Sequence, residues 1–261
     1  MVEKLLSRSF FNLSSNKCAY VYPCSKTSIE EGDFVSIGFG SSETDVSILN
    51  SSSVSGTVSG HTIDSRTMAD DVRILDVNDT AAVRVYYSRL NGAVLESGDV
   101  RYCATNDAGE ITDLILNDFT GDLYEYGIIT GVSEQSNDMS LSGSYTYLVN
   151  GEKQTISTNG KTLGASIGPA QLTIKDGQLD SVRALYQIKN PDSITQLGVT
   201  KDGEKWLFWD DCAVYLYENS NYSLLSLTEL RNNFDAYNIT CYYEKDIKDG
   251  GRIRIVIARP V

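Results

Sequence analysis

His61, in the segment GHTID, is the only histidine of the chain, so catalysis of the Ser-His-Asp or Cys-His kind would have to pass through it. No G-x-S-x-G elbow or protease-like cysteine context accompanies it, and it is expected to be a loop residue. Cys18, Cys24, Cys103, Cys212 and Cys241 form no C-x-x-C pair and show no zinc spacing; no metal or cofactor is expected. Three of them, Cys103, Cys212 and Cys241, lie inside apolar runs and read as core residues. A disulfide between some pair stays open, because spacing does not fix connectivity.

Carboxylates are the remaining catalytic currency. The pairs Asp70/Asp71 and Asp210/Asp211 recur in similar contexts, and a glycosidase-type mechanism needs two carboxyl groups about 5–10 Å apart across a groove. Recurrence argues instead for a structural duty repeated in each unit. The oxygen-rich stretches Asn106–Glu110 and Asp246–Asp249 lack the D-x-D-x-D-G spacing of a calcium loop and read as hairpin turns. The glycine-rich segment from Gly32 to Gly40 has no Lys-Ser/Thr pair to hold a phosphate. Aromatic residues are the candidates for binding. Trp206 and Trp209 are an odd number of positions apart, so a regular strand points them to opposite faces, one core and one more exposed. With Tyr217, Tyr222 or Tyr237 they could stack on a sugar ring or a partner's side chain; the competing reading is that they fill small barrels and strand edges.

The elements that must position these residues are strands. Period-two alternation and β-branched or aromatic runs recur between Gly, Asn and Asp turns, and 3.6-residue periodicity is nearly absent. Strands are expected at Cys18–Tyr22, Phe34–Phe39, Asp45–Leu49, Val72–Val77, Ala82–Tyr87, Val100–Thr105, Ile111–Leu116, Tyr124–Val132, Ser144–Val149, Gln171–Ile174, Ser181–Ile188, Lys205–Trp209, Ala213–Tyr217, Tyr237–Tyr243 and Arg252–Ala258. Only Glu3–Phe11 and Leu225–Asn232 read as helical. Hairpin chemistry stands at Asn150-Gly151, Lys175-Asp176-Gly177 and Lys248-Asp249-Gly250-Gly251.

The chain also repeats itself. From Asp70 it reads DDVRILDV, then LESGDVRYCATNDAGEITDLIL; from Asp210 it reads DDCAVYLY, then SLTEL and NITCYYEKDIKDGGRIRIVIA. A weaker copy ends in QLTIKDGQLDSVRAL, and a partial one opens the chain. The turn glycines Gly109, Gly177 and Gly251 are 68 and 74 residues apart, which sets a unit of about 70. The expected fold is therefore all-β, in tandem small β-barrel or sandwich domains of about 70 residues. The expected division is an incomplete N-terminal β-unit at 1–53, then β-domains at 54–122, 123–192 and 193–261.

Composition narrows the function classes. With 35 acidic and 22 basic residues the formal charge is −13, which leaves no basic face for nucleic acid or for an anionic membrane surface. No apolar stretch approaches the length of a membrane span. Met1–Leu13 is interrupted by Ser7, Arg8 and Ser9 and does not read as an export signal. The expectation is either a cytosolic protein or a piece of a longer exported chain, the repeat phasing favouring the second.

The pieces DDVRILDV, LESGDVRYCATNDAGEITDLIL, YGIITGV with the later YLVNGEK, SLTEL and DGGRIRIVIA resemble the β-repeat regions of cell-surface proteins of Gram-positive, clostridia-like bacteria, a group whose members often also carry S-layer homology modules. The likeness covers about residues 16–258, and its motifs encode hairpins and barrel strands rather than chemistry. It implies an extracellular location at the bacterial cell surface and a structural or adhesive role. It does not confer the helical wall-binding module, which this sequence lacks. The resulting expectation is a non-enzymatic spacer or adhesive segment. Its partners would be neighbouring modules of the same chain, cell-wall polysaccharide or another surface protein. The alternatives are a carbohydrate- or protein-binding array using Trp206, Trp209, Tyr217 and Tyr237, a polysaccharide-acting enzyme, or a phage assembly protein.

Overall fold

A computed structural model describes residues 35–39, 44–48, 53–78, 81–137 and 140–261. The expected strand Cys18–Tyr22, the expected helix Glu3–Phe11 and the cysteines Cys18 and Cys24 lie outside these residues. The chain folds as β-structure, as its alternation requires. It divides into two compact units, one running to Asn91 and including Leu95–Phe119, the other comprising Gly92–Val94 and Thr120–Val261.

In the first unit β1 (Val35–Phe39) and β2 (Thr44–Ile48) form an antiparallel hairpin with Ile37 opposite Val46. The strands β3 (Gly56–Ser59), β4 (Thr62–Ile63), β5 (Arg66–Val77) and β6 (Ala82–Val85) are joined by tight connections and pair antiparallel in sequence. After the short β7 (Val94–Leu95) the chain forms the antiparallel pair β8 (Val100–Thr105) and β9 (Ile111–Asn117). Strand β9 then lies parallel to β5, with Ile74 opposite Leu114. A parallel partner requires a long crossover, supplied here by everything between Val77 and Ile111.

In the second unit β10 (Glu125–Asn137), β11 (Ser140–Val149), β12 (Glu152–Ser157), β13 (Gly168–Lys175) and β14 (Gln178–Ala184) form an antiparallel sheet in the order β12-β11-β10-β13-β14. Its hairpins are the ones the turn residues call for. Asn150 and Gly151 take φ of 49° and 81°, and Asp176 and Gly177 take 51° and 75°, the two positive values that a two-residue loop between twisted strands needs. The rest of the unit holds β15 (Tyr186–Lys189), β16 (Ser193–Ile194), β17 (Gly198–Lys201), β18 (Glu204–Glu218), β19 (Asn221–Leu224), β20 (Tyr237–Tyr243) and β21 (Ile253–Pro260).

These last strands repeat the wiring of the first unit. β16, β17, β18 and β19 pair antiparallel in sequence, β20 pairs antiparallel with β21, and β21 runs parallel to β18. The two long strands even break at the same place. Register along β5 and β9 jumps between Met68/Ile111 and Arg73/Asp113, and along β18 and β21 between Phe208/Ile253 and Ala213/Ile255. Four residues therefore face one in each bulge: Ala69–Val72 face Thr112, and Trp209–Cys212 face Arg254. Bulges of this kind bend a strand and turn side chains out of the ladder. Each contains the recurrent acidic pair, and Asp70, Asp71, Asp210 and Asp211 are all exposed. The middle segment, β10–β14, pairs its strands antiparallel, with one isolated parallel bridge between Thr158 and Leu179; the weak copy QLTIKDGQLDSVRAL forms the β13–β14 hairpin.

The core follows from the period of two. β21 is buried from Ile253 to Ala258, as expected of a strand with a parallel neighbour and both faces covered. Val256 points into a cluster with Ile188, Val214, Leu230, Ile239 and Cys241, which the helix α1 (Leu227–Asn232) covers. Ile255 and Ile257 point the other way, against Tyr126, Ile128 and Tyr215. The second face of the five-stranded sheet carries a separate cluster of Ile129, Tyr145, Tyr147, Leu172 and Leu179. The expected helix at Leu225–Asn232 forms as α1, two residues shorter at its start because Ser226 is its N-cap, accepting from the Glu229 N–H at 3.1 Å.

Candidate functional site

The four aromatic residues singled out from sequence are divided between two faces of the seven-stranded sheet. Trp206 packs against the helix-covered cluster, its ring 4.4 Å from that of Tyr243, and Tyr237 packs against the same cluster. Trp209 and Tyr217 pack on the opposite face. The odd spacing of the two tryptophans is thus realised as opposite faces. Both are half-buried, however, so neither is the exposed member that strand parity alone suggested.

Trp209 stands at a charged centre which the sequence reading missed. Arg254 is fully enclosed and donates from Nη1 to Asp122 Oδ1 at 2.7 Å, and from Nη2 to Glu244 Oε1 at 2.6 Å and the Thr120 carbonyl at 2.7 Å. Its guanidinium carbon lies 4.4 Å from the Tyr126 ring centre and 4.7 Å from that of Trp209. Burial disfavours its charge, but Tyr126, Glu244 and Asp122 outweigh burial and raise its pKa further. The reason for the position is the bulge: Arg254 is the single β21 residue facing Trp209–Cys212, and the space opened there accepts a long side chain. A cleft of about 260 Å³ adjoins it, lined by Glu125, Tyr126, Asn150, Trp209, Asp211 and Arg254, among others. Most donors of Arg254 are spent on the protein itself, which makes this centre a structural clamp between β10, β18, β20 and β21.

Tyr217 leads to a different cleft, of about 520 Å³. One wall is the loop from Leu163 to Gly168, the other is formed by Tyr222, Tyr242, Ile257 and Arg259, with Pro169, Ala170, Val182 and Ala184 at the base. Tyr217 and Tyr222 have ring centres 4.6 Å apart, and the Arg259 guanidinium lies 5.1 Å from the Tyr217 ring centre. Burial pushes the Tyr222 hydroxyl pKa up, Tyr217 adds to this, and Arg259 pulls it back. The loop is held from behind. Glu134 accepts from the Leu163 and Gly164 N–H groups at 2.8 and 2.9 Å and from the Tyr145 hydroxyl, and these bonds keep its carboxyl below the usual range, the Tyr145 bond contributing most.

The other chemistry-bearing residues have local partners. His61 packs against Tyr87 with ring centres 3.7 Å apart and ring planes tilted by 50°. The side-chain oxygen of Asn106 accepts from the Ala108 and Glu110 N–H groups at 3.0 and 2.9 Å, making the stretch a closed hairpin turn. Cys103 and Cys241 are fully buried, Cys212 is half-buried, and Cys212 and Cys241 are free thiols. Burial pushes the Cys241 thiol up to about 12 and raises those of Cys103 and Cys212 as well. Among the described residues no cluster of three His, Cys, Asp or Glu residues is suited to hold a metal ion, and no helix is long and apolar enough to cross a membrane.

No protein-family model, curated protein or solved structure matches the chain.

Proposed function

We propose that the chain is a non-enzymatic β-module segment of a bacterial cell-surface protein, structural or adhesive in role, as its resemblance in sequence suggests. The observation that supports this most directly is the β-unit built twice with the same wiring, in which the acidic pairs Asp70/Asp71 and Asp210/Asp211 occupy equivalent bulges and face solvent. A charge that recurs at one mechanical feature of each copy serves solubility and strand geometry. A catalytic pair would have to converge on one groove. Tandem units of about 70 residues suit a spacer, because length is added by repetition.

Antibodies raised against the folded chain should label intact producing cells, and brief protease treatment of those cells should remove the label. Retention of the protein in the cytosol would refute the proposal. A second reading, binding through aromatic residues, is favoured by the cleft that Tyr222 and Tyr242 line and is compatible with an adhesive role.

A further inference from the structure

We infer that the cleft between the Leu163–Gly168 loop and the ends of β19, β20 and β21 binds an acidic glycan, a sugar unit carrying a carboxylate or phosphate, with Arg259 as the anion-binding group. The inference deepens the adhesive reading and rests on it only for the choice of a glycan as carrier of the anion.

Arg259 is the one charged residue lining this cleft. In a chain of formal charge −13, a concave site with a cation and no carboxylate in its wall is a local inversion of the surface field. Among the described residues Arg259 has no ion pair; its guanidinium lies over the face of Tyr217 and close enough to Tyr222 to lower that hydroxyl's pKa. Arg254 differs, since both of its terminal nitrogens are engaged, by two carboxylates and a carbonyl. A guanidinium braced on an aromatic face keeps its fork of N–H donors available for a planar bidentate acceptor such as a carboxylate or phosphate.

The remaining wall chemistry suits a sugar. Tyr222 and Tyr242 offer flat apolar surface with hydroxyls, and Ala165, Ile167, Pro169 and Val182 supply apolar contact. Ile167 is 68% exposed, a large apolar side chain left in water at the rim. The volume of about 520 Å³ falls in the range of small-molecule sites, about 300–1,000 Å³, and holds a mono- to disaccharide unit. The site is also preorganised, because Glu134 and Tyr145 fix the loop backbone from outside the cleft.

The test is titration calorimetry on the whole chain with three probes: oligogalacturonate for the carboxylate source, a short glycerol-phosphate polymer for the phosphate source, and a neutral maltooligosaccharide. The expected result is saturable binding of one or both acidic probes, at least about ten-fold tighter than the neutral one and weakened by salt. Arg259→Gln should reduce that affinity by about ten-fold or more. Ser166→Trp, an exposed loop substitution that fills the cleft without touching β21, should do the same with an unchanged unfolding midpoint, and decides the matter should the arginine variant fail to fold. Binding of neither acidic probe, equal affinity for the neutral probe, or acidic binding unaffected by Ser166→Trp would overturn the inference. A protein absent from the cell surface that still binds the acidic probe through Arg259 would refute the surface-module reading and leave the cleft assignment standing.

Discussion

Arg254 illustrates how one residue holds a β-unit together. Its side chain has no exposed surface, and Asp122 and Glu244 are 11% and 3% exposed, so removing the cation takes the counter-charge from two largely enclosed carboxylates. Arg254→Met is therefore expected to cost about 3–5 kcal/mol, measured by urea unfolding, whereas a triple variant that also makes Asp122 and Glu244 apolar should recover much of the loss. Gly251 is constrained by a different force. A Cβ there would lie 1.7 Å from the Lys245 carbonyl oxygen, so Gly251→Ala must push two backbone segments apart and should cost about 2 kcal/mol or more. Gly250 carries the left-handed turn at φ 85°, and its alanine variant should cost nearer about 1 kcal/mol. The sequence reading placed turn glycines here but could not divide the two duties, because close approach to Lys245 is a contact across the turn and leaves no local pattern.

At the scale of elements the bulge is the feature with most consequence. It explains the recurrent acidic pair: four residues opposite one leave three without a ladder partner, and Asp at two of the four bulge positions keeps those side chains in water. Replacing Asp210 and Asp211 together by Asn should then change stability by no more than about 0.5 kcal/mol, and a larger loss would mean that the charges themselves shape the bend. The motif before the eighth and twentieth strands, LESGD in one copy and SLTEL in the other, proves to be a capped helical turn. Glu96 and Asp99 form a reciprocal capping box, and Ser226 caps α1; Ser226→Ala should lower stability by about 1 kcal/mol. Most strand positions and the hairpin turns were legible from alternation and from Asn-Gly and Asp-Gly pairs, but β12 and β19 were not among the expected strands, and the expected strand Ser181–Ile188 is divided between β14 and β15. The length of β5 and β18 was not. The expected strands Val72–Val77, Lys205–Trp209 and Ala213–Tyr217 stop at the acidic pair, whereas the chain continues through it as one bent strand.

For the whole molecule the acidity has a measurable consequence. Glu134, Asp180 and Asp192 all have folded pKa values held below the ordinary ones of 4.5 for Glu and 3.8 for Asp, the largest causes being the bonds from the Tyr145 hydroxyl, Lys161 and the Asp202 N–H respectively. In each case the unfolded chain binds protons more readily than the folded one as pH falls through this range. Their stabilisation is therefore complete above the ordinary values and is lost as pH drops through the folded values. The urea midpoint should decline on acidification below about pH 4.5, with Glu134→Gln removing part of that dependence and loosening the Leu163–Gly168 loop in hydrogen exchange. Self-repulsion acts in the opposite direction near neutrality, since a strong net charge opposes compaction, so moderate salt should raise the midpoint at pH 7.

The all-β class, the hairpin turns, the short capped helix and the kinship of the segments from Asp70 and Asp210 follow from the sequence alone, because alternation, turn chemistry and repetition are local signals. The parallel pairing of β5 with β9 and of β18 with β21 was decided only in three dimensions, since it joins strands separated by long crossovers. The candidate site divides in the same way. Trp209 and Tyr217 were visible as aromatics, but their fates differ through partners distant in the chain. Arg254 fills the gap opened by a bulge and becomes a clamp, while Arg259, five residues on near the end of the same strand, meets a tyrosine face and no carboxylate. Which arginine is spent on the fold and which is left for a ligand depends on what the packing brings beside it.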